Sequence, residues 1–247
     1  PAGGAEHLEA LSNEEQVRVV QNLSVEDAAE IIVELDEHSR LPLLQSLDTD
    51  LTARIFSEMS PDDAADILDE LDEGLRTRLL GRIGKDDAAA INQLLRYDPE
   101  TAGGVMNTEC LVLDHGLTVD QAITMMRKEI ADKEIPYYAY LVDESEKLVG
   151  VASLREILTA RPGTLLKDLG QEHDLISVVF DMDREEVAYQ MGHYNFLAMP
   201  VVDYDGKFLG VVTHDDVFDI MHEEASEDML GMVGAGVDET VDMPWKS

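Results

Sequence analysis

Leu11, Leu23, Leu35, Leu47, Met59, Leu71, Ile83 and Leu95 recur at a constant step of twelve residues. Self-similarity of this kind marks a stacked architecture in which each unit packs on its neighbours. Eight places after each of the first seven markers stand Val19, Ile31, Leu43, Ile55, Ile67, Leu79 and Ile91, and the ninth place is apolar until Asn92. Apolar positions so spaced form one face of a short helix. The marker is followed in turn by Ser12, Ser24, Asp36, Asp48, Ser60, Asp72 and Gly84, residue types that accept hydrogen bonds from the free amides of a helix start or tolerate its turn. Pro61 then falls at a first helical position, where its missing N–H costs nothing. The pattern predicts a row of helices of roughly two to three turns, each too short to stand alone. They make an all-α superhelical repeat domain over residues 1–100.

Beyond Asp98 and Pro99 the period changes. Gly103 and Gly104 suggest a linker, and strand-like apolar runs begin. Two segments match at an offset of sixty. Tyr140-Leu141-Val142-Asp143 through Gly150-Val151-Ala152-Ser153 parallels Pro200-Val201-Val202-Asp203 through Gly210-Val211-Val212-Thr213. Each reads as strand, turn, strand, helix, preceded by an amphipathic helix at Val119 to Arg127 and at Glu185 to Tyr194. The expected arrangement is an α/β tandem pair of β-α-β-β-α units packed as one pseudo-symmetric body, with units at 101–164 and 165–225 and a connecting helix over 226–247.

Charge narrows the partners. Fifty-three Asp and Glu face 18 Lys and Arg, a net charge of −35 on 247 residues. Such a field attracts cations and repels phosphate, which argues against nucleic acid and anionic membrane surfaces. Clustered carboxylates without thiolates suit hard, oxygen-seeking ions such as Mg²⁺, Ca²⁺ or Mn²⁺. First-turn acids such as Asp62, Asp63, Asp86 and Asp87 have a simpler role in answering the helix dipole. Asp66 lies one turn beyond Asp62 and is followed by Asp69, Glu70 and Glu73 on nearly the same face. Like charges at that spacing cost stability, so the stripe reads as unneutralised and open to a cation or a basic partner. A second stripe descends from His214 through Asp216, Asp219, Glu223 and Glu227. Cys110 is the single cysteine, which excludes an internal disulfide framework. No apolar run approaches the ~20 residues needed to span a bilayer, so the stretch is expected to be soluble.

Gly210-Val211-Val212-Thr213-His214-Asp215-Asp216 resembles the Gly-x-x-Ser/Thr-x-x-Asp ribose signature of tandem cystathionine-β-synthase (CBS) domains. The first copy reads Gly150, Ser153 and Glu156. The chain as a whole resembles the cytosolic part of the MgtE family of magnesium channels. The match rests on Arg96-Tyr97-Asp98-Pro99-Glu100-Thr101-Ala102-Gly103-Gly104-Val105-Met106, on Tyr137 to Asp143, and on Asp215 to Asp219 with Glu223 to Asp228. The resemblance implies a Mg²⁺ sensor at the cytoplasmic face of the inner membrane, leading into a C-terminal transmembrane channel domain. It places sensing positions at Asp62 and Asp66 on the helical domain, and at Glu185, the Gly192 carbonyl, Asn195, Asp216 and Asp219 on the CBS pair. Glu224, Glu227 and Asp228 would serve the helix near the pore. Asn195 stands where an acid is expected in relatives.

The implied mechanism is electrostatic. Acidic faces repel without Mg²⁺, and bound ions draw them into a closed body that shuts the pore, a population shift driven by tighter binding to the closed state. A second ligand reading is ATP or another adenine nucleotide, with Tyr138 and Phe196 flanking the base, Arg155 near phosphates, and Glu156 and Thr213 at the ribose. Asp216 is claimed by both readings. A third reading is an interaction scaffold built on the helical repeat. The histidines are scattered and Cys110 lacks a suggestive partner, so an enzyme is not expected. A homodimer through the CBS pair is expected from the apolar content of Val119 to Met126 and Val187 to Met191.

Overall fold

The computed structural model describes residues 2–129, 137–169, 175–218 and 220–221. Its first part is a row of helices: α1 (Ala2–Glu9), α2 (Asn13–Val20), α3 (Val25–Glu34), α4 (Glu37–Ser46), α5 (Thr49–Phe56), α6 (Pro61–Glu70), α7 (Glu73–Leu80) and α8 (Lys85–Leu94). The side chains of Ser24, Asp36, Asp48, Ser60 and Asp72 each accept a hydrogen bond from a backbone N–H of the first turn they precede, while Glu15 reaches back to the Ser12 N–H. The twelve-residue step is therefore a helix plus its cap. Packing runs between alternate helices, α1 on α3, α2 on α4, α3 on α5, α5 on α7 and α6 on α8, which winds the row into a superhelix. Ile32, Leu43, Leu44, Ile55, Phe56, Ile67, Leu68 and Leu79 fill its core. Leu11 and Val19, from the first unit of the pattern, lie exposed instead.

Two three-stranded sheets follow. The first comprises β1 (Leu111–Asp114), β2 (Tyr138–Val142) and β3 (Leu148–Ser153), with α9 (Val119–Glu129) and α10 (Leu154–Thr159). The second comprises β4 (Val178–Val179), β5 (Ala198–Val202) and β6 (Phe208–Thr213), with α11 (Arg184–Tyr194) and a helix starting at residue 214. In each, the first strand pairs parallel with the second and the second antiparallel with the third. The registers Tyr138↔Ser153 and Ala198↔Thr213, and the irregularities at Leu141/Val142 and Val201/Val202, repeat at the same offset of sixty. The two hairpin turns meet head on. Leu148 N–H donates to the Gly206 carbonyl and Phe208 N–H to that of Glu146, over an apolar cluster of Tyr140, Leu148, Val202 and Val211.

The helical domain shares one core with the second sheet and its helices, through Ala102, Met106, Val178, Val187, Val217 and Ile220. The first α/β unit keeps a core of its own. Gly103 and Gly104 are thus buried in a packed junction, not in the linker that their composition suggests. Ala102 N–H donates to the Met182 carbonyl, Gly103 N–H to that of Phe180, and Asn107 and Val211 exchange both backbone bonds. A Cβ on Gly104 would lie 2.3 Å from the Asp98 carbonyl oxygen, so glycine is required by close backbone approach. The dimer expectation also loses its original ground. Val119, Ala122, Met126, Val187, Ala188 and Met191 are buried within the chain, because each helix spends its apolar face on its own sheet. What these helices leave to solvent includes Met125 and Tyr189.

Candidate cation site at the interdomain cleft

A cleft of about 560 Å³ opens where the helical domain meets the second α/β unit. One wall is the turn from α3 to α4, carrying Glu34, Asp36 and Glu37. A second wall is α6, whose side chains Asp62, Asp63, Asp66 and Glu70 line it. The third is the helix starting at residue 214, which contributes Asp216 and Ile220. Arg40 and Arg184 are the basic residues in the lining. Carboxylates therefore outnumber guanidiniums by eight to two. Placement follows from local structure. Ser60 caps α6 by accepting from the Asp63 N–H, and Pro61 opens the helix, which sets Asp62 and Asp63 in its first turn facing the other domain. At the end of β6, Thr213 donates both its N–H (2.9 Å) and its hydroxyl (2.5 Å) to Oδ2 of Asp216, fixing that carboxyl at its helix start.

The electrostatics single out Asp62 and Asp216. Burial pushes the Asp216 carboxyl up to about 7, and the nearby Asp62 charge adds to the effect. Burial likewise raises Asp62 to about 6, with the Ser60 hydroxyl opposing and Asp63 reinforcing. Only 7% of Asp62 is exposed, yet its Oδ1 has no hydrogen-bond partner. A buried, unpaired carboxylate oxygen is costly, and a bound cation is one group that would satisfy it. The donors are oxygens of hard character, so they fit Mg²⁺ or Ca²⁺. Among the described residues no three or more His, Cys, Asp or Glu stand together in a group that would hold a metal ion. An ion here would keep part of its water shell, as Mg²⁺ ordinarily does.

Other expected positions fare differently. Asp66 lines the same cleft one turn on from Asp62. The rest of that stripe is not the unneutralised row that its spacing suggests, because Glu70 is paired with Arg40 at 2.5 Å and Asp69 with Arg76 at 3.1 Å. Asp63 is more than a dipole partner, since burial raises its carboxyl and the Asp215 charge on the facing domain adds to this. Glu185 sits in the first turn of α11 and Asn195 caps the other end in the left-handed conformation, φ 55°. Seven residues separate Glu185 from Gly192, about 10 Å of helix, so they do not share one ion within the chain. Asp219, Glu224, Glu227 and Asp228 lie outside the described residues. The nucleotide candidates divide between packing, capping and solvent. Tyr138 packs in the cluster between the sheets, Phe196 on the main core and against Tyr194. Glu156 is occupied by the Ser153 N–H and hydroxyl, both at 2.7 Å, and Arg155 is exposed. Glu34, Asp36, Glu37, Arg40 and Arg184 went unread in the sequence, because their place in the cleft depends on packing across alternate helices.

The chain as a whole is similar to known proteins. The MgtE intracellular N domain matches residues 1–100, and the CBS domain matches 102–163 and 166–223. A magnesium transporter MgtE from Enterococcus faecalis is 40% identical over 160 residues, which is 65% of this chain and 35% of that protein. The chain spans about a third of the length of the curated relatives it matches. The crystal structure of the soluble part of a magnesium transporter is 33% identical, with a TM-score of 0.80 over 90% of this chain and 87% of that one. The cytosolic domain of the Mg²⁺ channel MgtE in complex with ATP is 31% identical, with a TM-score of 0.65 over 87% of this chain and 93% of the other.

Proposed function

This chain belongs to the MgtE family, through its N domain and its CBS pair together, and on that premise we propose that it is the intracellular Mg²⁺ sensor and gating part of a magnesium channel. One observation carries the reading. Asp62 and Asp216, on different domains, face a single cleft in which the ionisation of each is opposed by burial and that of Asp216 also by Asp62. Bound Mg²⁺ supplies the two positive charges that offset this repulsion. Asp62 offers the unpartnered Oδ1, and Asp216 offers Oδ1 while Thr213 holds its Oδ2. Asp63 and Asp66 add to the negative field of the same wall. With the cleft neutralised, the shared apolar core holds the two domains closed. Without cations the carboxylates drive them apart, which shifts the population toward an open form.

In the same reading residues 226–247 lead to a transmembrane channel domain at the cytoplasmic face of the membrane, with Asp219, Glu224, Glu227 and Asp228 serving the connection. Glu185, the Gly192 carbonyl and Asn195 lie on exposed parts of α11, where they would meet ions against a second copy in a homodimer. Small-angle scattering across a Mg²⁺ titration tests the core of the proposal. The expected result is compaction by millimolar Mg²⁺ that potassium chloride of equal ionic strength does not reproduce, since screening weakens repulsion without bridging carboxylates. Equal compaction by both salts would refute it. Adenine nucleotide is a second reading, favoured by the ATP complex of the related MgtE cytosolic domain. It draws on Tyr138, Arg155, Glu156, Phe196 and Thr213, and calorimetry with ATP tests it.

A further inference from the structure

Resting on that reading of the cleft, we propose that Arg40 is a resident cation that occupies its Glu70 end and confines Mg²⁺ to the Asp62–Asp216 end. Arg40 lies in the first half of α4, with only 13% of its side chain exposed. Its Nη2 and Nε donate to the two carboxylate oxygens of Glu70, at 2.5 and 3.2 Å. Its Nη1 donates to the Val33 carbonyl at 3.2 Å, one of the carbonyls left open at the end of α3. One guanidinium therefore ties α3, α4 and α6, the elements that form two of the three cleft walls. The fork matches a carboxylate in a way that an ammonium cannot, and it stays charged at every physiological pH.

Position decides what this fixed charge does. Asp62 and Glu70 stand at opposite ends of α6, eight residues or about 12 Å apart. No single ion reaches carboxylates at both ends, since an ion holds its oxygen ligands at about 2.0–2.6 Å. The two ends are therefore separate positions, while charge at one is still felt at the other because buried groups are screened little. At the Glu70 end the guanidinium answers one carboxylate directly, and the Glu37 charge also acts on Glu70. At the other end Asp62 keeps a buried oxygen without a partner. Arg40 is only a minor influence there: its pull on Asp63 ranks behind burial, Ser60 and Asp215. The cleft is thus half filled by its own chain. Arg40 sets how many ions the cleft takes and where, and the remainder is left to the pair that spans the two domains.

Equilibrium dialysis and calorimetry with Mg²⁺ alone, on the whole chain, test this. Arg40→Gln is expected to bind about one more Mg²⁺ per chain than wild type, and the added site is expected to vanish in Arg40→Gln/Glu70→Gln. Arg40→Lys, which keeps the charge, is expected to retain the wild-type number. An unchanged number in folded Arg40→Gln overturns the proposal while leaving the sensor reading intact. Loss of Mg²⁺ binding at the cleft in wild type, seen as no difference between wild type and Asp216→Asn, overturns both. Should Arg40→Gln lose its helical circular dichroism, Glu70→Gln answers the question. It leaves the guanidinium without its carboxylate partner, and the Mg²⁺ midpoint should rise at least about threefold. An unchanged midpoint there also overturns the proposal.

Discussion

Replacing Asp216 by Asn removes a charge that the ion-free fold holds at a cost, so the substitution should stabilise the protein in the absence of Mg²⁺. Asn keeps a side-chain oxygen to accept from the Thr213 N–H and hydroxyl, the bonds that fix Asp216 now. Raising the carboxyl from an ordinary 3.8 to about 7 corresponds to roughly 4 kcal/mol at about 1.4 kcal/mol per tenfold change. Partial exposure and the share carried by Asp62 reduce the part released by this substitution to about 2 kcal/mol, or ~4–8 °C in Tm for a chain of this size. The folded state binds the proton more tightly than the unfolded one. Stability of the ion-free wild type therefore declines as pH rises from about 4 to about 7, and the full penalty is present above that. Melting in EDTA at pH 8 should show Asp216→Asn well above wild type, with the gain shrinking to about a quarter near pH 4.5. In millimolar Mg²⁺ the order should narrow or invert, since only wild type gains from the ion. A variant no more stable than wild type in EDTA at pH 8, or equally favoured at both pH values, would refute the reasoning.

Asp62→Asn should act in the same direction with a smaller gain, because that carboxyl is lifted only to about 6, and its benefit should level off nearer pH 6 in the same scan. Gly104→Ala should cost about 2 kcal/mol or more in urea denaturation, since its Cβ would meet backbone atoms of Asp98 and Pro99 at 2.3 and 2.6 Å and neither can give way. Gly192→Ala, with nothing within 4 Å of the added methyl and a helical backbone, should instead stabilise by up to ~1 kcal/mol. Tyr138→Ala should abolish ATP binding in calorimetry if the ring flanks an adenine, while leaving the Mg²⁺ midpoint unchanged; a shifted midpoint would tie the two ligands together.

The repeat was legible because its signal is local. A cap residue, a first turn and an apolar pair at places eight and nine recur within twelve positions, and Ser24, Asp36, Ser60 and Asp72 do in the structure what their type implies. The duplicated sheets were legible for the same reason, their strands recurring at one offset. What the sequence concealed is long-range. Nothing in the spacing of α6 says that Arg40, thirty positions earlier, closes on Glu70, so the acidic stripe looked bare when half of it was already answered. Gly103 and Gly104 looked like a flexible linker because glycine carries the same letter whether it frees the chain or lets two backbones touch. Asp62 and Asp216 are separated by more than 150 positions, and only the shared core across the junction brings them to one cleft. Residue type and resemblance pointed to both acids. Burial supplies the energetic reason: the same two carboxylates in water would repel weakly, whereas in the cleft each resists ionising, and under the proposed function that resistance would let a divalent cation move the domain equilibrium by more than salt can.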